Sequence, residues 1–375
     1  MNPLYLTDDD GSIKSIFGLT LPQLKPILEK IVSDDTIVSF HISLEHQILP
    51  EFYGGRGEKV IPTFTYTTQS RRQGKITVFV KQHCNHGPNE ALHYKHLEQH
   101  HAPIPRMYHA ITGRDRQDIV FIEYINPVLE KEPYTQFIND DRLFHQFLDI
   151  TAQFNAIQPS EEYAVCLETG YWNKQFSECE FTLAEIWDHA GKGRLGKPLR
   201  KLCTGDKLNQ LRKISRWAAE RVSRMEEGLY HWDHRPCNVG FRQGTGEMLI
   251  FDLEDTMFAP RFLDVAVWLG TPDDVQPRCR PRRELALYYL ERYNQLAEKR
   301  VQLDEFLDEV YILWIASTLK SLSWNLNVAL NGPVERHIKD SQEYRHGICA
   351  ELHELLGTLL LQETSPDLLR LRSME

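Results

Sequence analysis

The spacing of apolar residues changes near Pro127, and that change constrains the fold more than any other feature of the chain. Before it, strand signals dominate. Residues 36–44 (TIVSFHISL), 62–69 (PTFTYTTQ) and 75–81 (KITVFVK) are rich in Val, Ile, Thr, Phe and Tyr, as half-buried antiparallel strands are. Two further strand candidates lie at 106–111 and 118–124. Helical spacing of Leu21, Leu24, Ile27, Leu28 and Ile31 predicts a helix over 21–32, with Pro22 near its start, where a missing N–H costs nothing. A second helix is predicted over 89–99, capped by Asn89 and apolar at Ala91, Leu92, Tyr94 and Leu97. After Pro127 the pattern is helical over 143–156, 182–190, 207–227, 282–300, 303–330 and 334–361. One strand pair interrupts it, 239–241 and 248–251, joined by the Gly-rich turn 243–246. Strands segregated from helices predict an α+β fold, not a doubly wound sheet. The expected organisation is a helical extension over 1–35, a β-rich lobe with one helix over 36–125, and a larger, mostly helical lobe over 126–375.

The chemistry concentrates in residues 229–270, LYHWDHRPCNVGFRQGTGEMLIFDLEDTMFAPRFLDVAVWLG. His231, Asp233 and Asn238 form His-x-Asp-x-x-x-x-Asn on a loop before a short strand, and a second strand delivers Asp252, then Leu253 and Glu254. Phosphoryl transfer needs a carboxylate to orient or deprotonate the attacking hydroxyl. It also needs oxygen ligands for a hard cation that neutralises phosphate charge. A loop Asp, an Asn five residues on and an Asp ending the next hairpin strand supply those groups.

This stretch resembles the aminoglycoside phosphotransferase and choline kinase group, whose pattern is His-Gly-Asp-x-x-x-x-Asn, an apolar strand, Asp-Trp-Glu, and a later Tyr-Asp-Leu-Ala. The matching residues are His231-Trp232-Asp233 and Asn238, Phe251-Asp252-Leu253-Glu254, and Leu263-Asp264-Val265-Ala266. The resemblance implies a bilobal protein-kinase-like fold and an ATP- or GTP-dependent transfer to a hydroxyl. It makes Asp233 the catalytic base, Asn238 and Asp252 the Mg²⁺ ligands, and Asp264 a buried anchor of the catalytic loop. Lys81, ending the strand Val78-Phe79-Val80, resembles the phosphate-contacting lysine, and Glu90 its ion-pair partner. Phe121-Ile122-Glu123-Tyr124-Ile125 resembles the hinge, where the backbone of Glu123 and Ile125 would meet the nucleotide base. Gly54-Gly55-Arg56-Gly57 lies where the phosphate loop is expected, with Gly55 and Gly57 as its candidates, but is not Gly-x-Gly-x-x-Gly. Trp232 stands where the group has a small residue, and Cys237 replaces a common Gly.

Composition excludes other classes. A net charge of −10 gives little attraction to nucleic acid. The seven cysteines are scattered and never spaced as C-x-x-C, which fits reduced thiols of a cytoplasmic protein better than a disulfide framework or a zinc site. No run of about 18 apolar residues predicts a membrane span. His83, His86, His93, His96, His100 and His101 read as solvated surface histidines, since no arrangement completes a metal site. Asp304, Glu305, Asp308 and Glu309, with Tyr311, Trp314 and Trp324, suit a cationic acceptor; a solvated helix start followed by core aromatics explains the same pattern. A nucleotide-binding pseudokinase, a protein kinase and a nucleotidyl transferase on the same fold stay open. Against the protein kinase stand the missing Ala-Pro-Glu motif and the eleven residues between Asp252 and Asp264.

Overall fold

The computed structural model describes residues 5–7, 12–32, 36–46, 57–83, 90–112, 118–128, 134–331 and 341–361. The chain divides into two compact units: Met1–Tyr134 with Asp233–Thr256, and Thr135–Trp232 with Met257–Glu375.

The first unit is built on an antiparallel sheet. Its strands are β4 (Ile37–His46), β5 (Gly57–Thr68), β6 (Gln73–His83), β7 (Met107–Ile111) and β8 (Ile119–Glu123), in the order β4-β5-β6-β8-β7. Ahead of it come three short strands, β1 (Tyr5–Thr7), β2 (Ile13–Ile16) and β3 (Leu19–Thr20), and helix α1 (Leu21–Ile31). Thr20 opens α1 with a capping box, in which Gln23 Oε1 accepts from the Thr20 N–H at 2.9 Å. Within the stretch expected as a helical extension, α1 thus follows three short strands. Ile16, Phe17, Leu24 and Leu28 share one core with Ile37, Phe64, Val78, Val80 and Phe121 of the sheet. Strands of two to four residues are too short to show an alternation, so the sequence revealed only the helix.

Helix α2 (Glu90–Gln99) buries Ala91, Tyr94 and Leu97, and also His93 and His96. Those two histidines, expected on the solvated surface, lie on the buried face because they flank Tyr94 and Leu97 within one turn. His86 lies outside the described residues. The strand pair Val239–Phe241 and Met248–Ile250 belongs to this first unit, where Val239–Phe241 also pairs with the short strand β9 (Asn126–Pro127). Glycine is required at 240: a Cβ there would lie 2.6 Å from the Asn126 carbonyl oxygen.

The second unit is mostly helical. Its longest elements are Asp141–Asn155, Gly205–Val222, Arg282–Leu296, Leu303–Asn331 and Ser341–Leu361. The helix predicted over 207–227 ends at Val222, and Glu227–Tyr230 instead forms a strand paired antiparallel with Met257–Pro260. Phe137 and Trp268 pack edge-to-face against the stacked pair Phe144 and Phe147 in one core layer, and Phe262, Tyr289, Tyr293 and Phe306 form another. Among the described residues, no helix is long and apolar enough to cross a membrane.

Candidate active site

Lys81 lies near the end of β6, opposite Lys59 of β5 and Val120 of β8, with its side chain fully buried. A buried ammonium needs compensating charge. Three carboxylates supply it: Asp252 Oδ1 at 2.6 Å, Glu254 Oε2 at 2.9 Å and Glu90 Oε2 at 3.2 Å. Burial alone would pull the lysine pKa down, but the charges of Glu90, Asp252 and Glu254 outweigh it and hold it well above the ordinary value. Glu90 shows the opposite balance. Burial pushes its pKa up, yet the Lys81 charge and the hydrogen bond with His83 bring it below the usual carboxylate value.

Glu90 is a hub. Its Oε2 lies 2.8 Å from His83 Nε2, and its Oε1 accepts from the Leu253 N–H at 3.2 Å. The start of α2 is thereby tied to the strand end and to the segment that carries Asp252. His83, Glu90 and Glu254 are close enough together to hold a metal ion, but the Lys81 ammonium already sits against both carboxylates. Lys59 Nζ approaches the other oxygen of Asp252, at 3.8 Å. Asp252 itself adopts φ of 64°, in the left-handed region that Asp tolerates better than most residues.

The catalytic-loop candidates form a second cluster in the same unit. Asn238 sits in the 3₁₀ turn Pro236–Asn238 and is buried. Its Nδ2 donates to the Asp233 carbonyl at 2.7 Å and to Asp233 Oδ2 at 2.9 Å. Both bonds use Nδ2, and Oδ1 is the acceptor atom of the amide. Arg235 Nη2 donates to Asp233 Oδ2 at 2.8 Å, while its Nε lies 2.5 Å from Oδ1, a two-point contact that fixes the carboxylate plane. The carbonyl of Asn238 accepts from the Phe251 N–H at 3.0 Å, which joins the loop to the strand before Asp252.

Trp232 has φ of 78°, a conformation costly for a bulky residue and easy for glycine. This explains why the resembling pattern has glycine there. In this chain the strained backbone is held by packing within the second unit. The Trp232 ring lies 5.0 Å from Trp172, 5.3 Å from Tyr171 and 6.4 Å from Tyr230, centroid to centroid. The Tyr230 hydroxyl also donates to the Trp232 carbonyl at 2.8 Å. Asp264, in the second unit, accepts from the backbone N–H of His231 at 3.1 and 3.2 Å and from Asn155 Nδ2 at 2.8 Å. Burial pushes its pKa up to about 7 against the pull of those bonds.

Other expected residues are placed differently. Glu123 ends β8, but its side chain is held by Arg242, at 2.9 and 3.1 Å, and by the Arg106 N–H at 3.0 Å. Its own N–H donates to the Arg106 carbonyl at 2.8 Å. Ile125 follows β8 and is buried. Gly57 begins β5, whereas Gly54 and Gly55 lie outside the described residues. The acidic turn expected to favour a cationic acceptor is already engaged within the protein. The buried guanidinium of Arg261 contacts Glu305 at 2.6 Å, Glu309 at 2.9 Å and Glu226 at 3.2 Å. Asp304 faces Arg283 at 3.6 Å. Nothing local in the sequence marked Arg261, whose partners lie 35 residues before it and 44 and 48 residues after it.

Sequence reasoning read His83 as a solvated surface histidine, which the structure buries, and did not single out Lys59 or Arg235. Arg235 had a signal: a base two residues after the loop Asp. Lys59 and His83 join the cluster through strand pairing and strand alternation, which appear only once the β5–β6 register is known.

The profile of the phosphotransferase enzyme family matches residues 81–300. A sequence search of curated proteins finds no match. Among solved structures, spectinomycin phosphotransferase in complex with ADP and spectinomycin is 13% identical, with a TM-score of 0.51 over 90% of this chain and 98% of that one. Choline kinase from Cryptosporidium parvum Iowa II is 12% identical, with a TM-score of 0.51 over 87% of this chain and 92% of that one. Likeness at this identity establishes the fold, a protein-kinase-like pairing of an antiparallel-sheet unit with a helical one.

Proposed function

The chain belongs to the phosphotransferase enzyme family, and from that premise we propose that it moves the γ-phosphoryl group of ATP or GTP to the hydroxyl of a small molecule. The observation that carries this reading is the contact between Lys81 and Asp252. Residues 171 positions apart meet at 2.6 Å, and Glu90 and Glu254 complete the charge balance.

In this reading Lys81 presents its ammonium to nucleotide phosphate oxygens, and Glu90 keeps it in place from the buried side. Asp233 accepts the proton of the attacking hydroxyl as the O–P bond forms and the bond from γ-phosphorus to the bridging oxygen breaks, with the diphosphate leaving. Arg235 and Asn238 hold the Asp233 carboxylate in one orientation, so that little reorganisation is needed during transfer. Hard oxygen donors suit a hard cation, and the Asp252 carboxylate with Asn238 Oδ1 would hold Mg²⁺. When bound, that ion supplies charge neutralisation on the phosphates. The backbone at Glu123–Ile125 would face the nucleotide base, and Gly55 and Gly57 its phosphates.

Asp233→Asn tests the reading. It keeps the size of the side chain and removes its basicity, so kcat is expected to fall about 10²–10⁴-fold, with nucleotide affinity by calorimetry nearly unchanged. A variant that retains the parent kcat would overturn the role given to Asp233.

A further inference from the structure

Two lysines of the first unit stand side by side, and their surroundings differ sharply. Lys59 of β5 is the cross-strand partner of Lys81 of β6, so both side chains leave the same face of the sheet. Like charges placed directly opposite repel, and the pair needs carboxylates against it. Lys81 has three, Asp252, Glu254 and Glu90 at 2.6, 2.9 and 3.2 Å, and its side chain is 1% exposed. Among the described residues, Lys59 has one ion pair, with Asp252 Oδ2 at 3.8 Å, which is too long for a hydrogen bond. The Lys59 side chain is 12% exposed and that of Asp252 24%, so this pair is the accessible side of the cluster.

Asp252 thus serves both lysines, one through each oxygen. Its engagement by any other cation would affect them unequally. Lys81 keeps Glu90 and Glu254 and stays in place. Lys59 is left, among the described residues, with no carboxylate, and its ammonium then needs another anion. A lysine present only to neutralise Asp252 is expected within hydrogen-bond distance of it, as Lys81 is.

We propose that Lys59 is a second phosphate ligand of the nucleotide: its ammonium leaves Asp252 for phosphate oxygens when nucleotide binds, and so uncovers one oxygen of Asp252 for the hard cation. The inference rests on the phosphotransfer reading for the identity of the ligand, a nucleoside triphosphate. A phosphate oxygen gives Lys59 the charged hydrogen bond that Asp252 does not. Lysine suits the role, as a point charge on a flexible four-carbon stem. Lys81, held by three carboxylates, is the fixed charge of the pair, and Lys59 is the one that follows the phosphates.

The test reads binding, not turnover. ATP, GTP and the matching nucleosides are titrated by calorimetry into the full chain, in chelator and with Mg²⁺, for the parent, Lys59→Met and Lys59→Arg. Lys59→Met is expected to weaken the nucleotide that the parent prefers roughly 10- to 100-fold in both conditions, as loss of a charged hydrogen bond does. The matching nucleoside should bind as before, and Lys59→Arg should recover most of the loss. In chelator, Lys59→Met is also made in Asp252→Asn. A direct phosphate ligand keeps its effect there, whereas a lysine that acts only by neutralising Asp252 loses it. Equal nucleotide affinity in the parent and Lys59→Met in either condition, or an effect that vanishes in Asp252→Asn, overturns the inference and leaves phosphotransfer standing. Nucleotide binding that depends on Lys59 in a chain without turnover supports the inference and counts against phosphotransfer. A parent that binds no nucleotide overturns both. If Lys59→Met fails to fold, judged by its melting curve, the parent itself gives the answer. Reductive methylation read by peptide mass spectrometry should show Lys59 protected by the nucleotide and not by the nucleoside; equal labelling with the two overturns the inference.

Discussion

Asp264 shows what a single residue can reveal. It is fully enclosed, it accepts three hydrogen bonds, and burial still outweighs them and raises its pKa to about 7. The folded protein therefore keeps a proton that the unfolded chain, with an ordinary Asp near 3.8, has released. Between those two values the native state binds more protons than the unfolded one, so stability falls as pH rises from about 4 to about 7. Three pH units of such linkage correspond to roughly 4 kcal/mol at most. Asp264→Asn lacks the titration. Urea unfolding of both proteins at pH 5 and pH 7.5 is expected to show the parent losing stability relative to the variant at the higher pH; a constant difference would show that Asp264 titrates normally. The needs of phosphoryl transfer picked out Asp233, Asn238 and Asp252 in the sequence, whereas Asp264 was marked only by the resemblance of Leu263-Asp264-Val265-Ala266 to a known pattern. Spacing was silent on Lys59 and His83, which reach Asp252 and Glu90 only once the strands pair.

At the scale of elements, packing imposes demands that propensity does not show. The helix Leu263–Leu269 ends at Gly270, where a Cβ would lie 2.2 Å from the Val310 carbonyl oxygen and 2.5 Å from the Trp314 Cβ. That approach lets the short helix that carries the last motif Asp, Asp264, lie directly on the helix Leu303–Asn331. Gly270→Ala must separate them, and overpacking of this kind costs about 1–3 kcal/mol. The denaturation midpoint should fall accordingly; an unchanged midpoint would mean the two helices part freely. Element types were legible wherever a run was long and periodic, as in β6 or the helix Asp141–Asn155. They were not legible in β1–β3 or at Glu227–Tyr230, where four residues or fewer take their conformation from a paired strand.

At the scale of the whole molecule, the chain order and the compact units differ. Residues 233–256 are flanked in sequence by the helical unit yet cluster with the first 134 residues. Periodicity located the hairpin and chain order put it in the lobe over 126–375; the contacts that hold it, Lys81 to Asp252 and Glu90 to Leu253, span more than 160 positions and leave no local signal. The central claim is that these long-range contacts assemble a centre for γ-phosphoryl transfer. It is tested most directly by mass spectrometry of the acceptor after incubation with nucleotide and Mg²⁺. The account predicts an acceptor heavier by one phosphoryl group, formed together with nucleoside diphosphate and lost in Asp233→Asn. An acceptor heavier by a nucleoside monophosphate, or nucleotide turnover that is the same with and without acceptor, would contradict it.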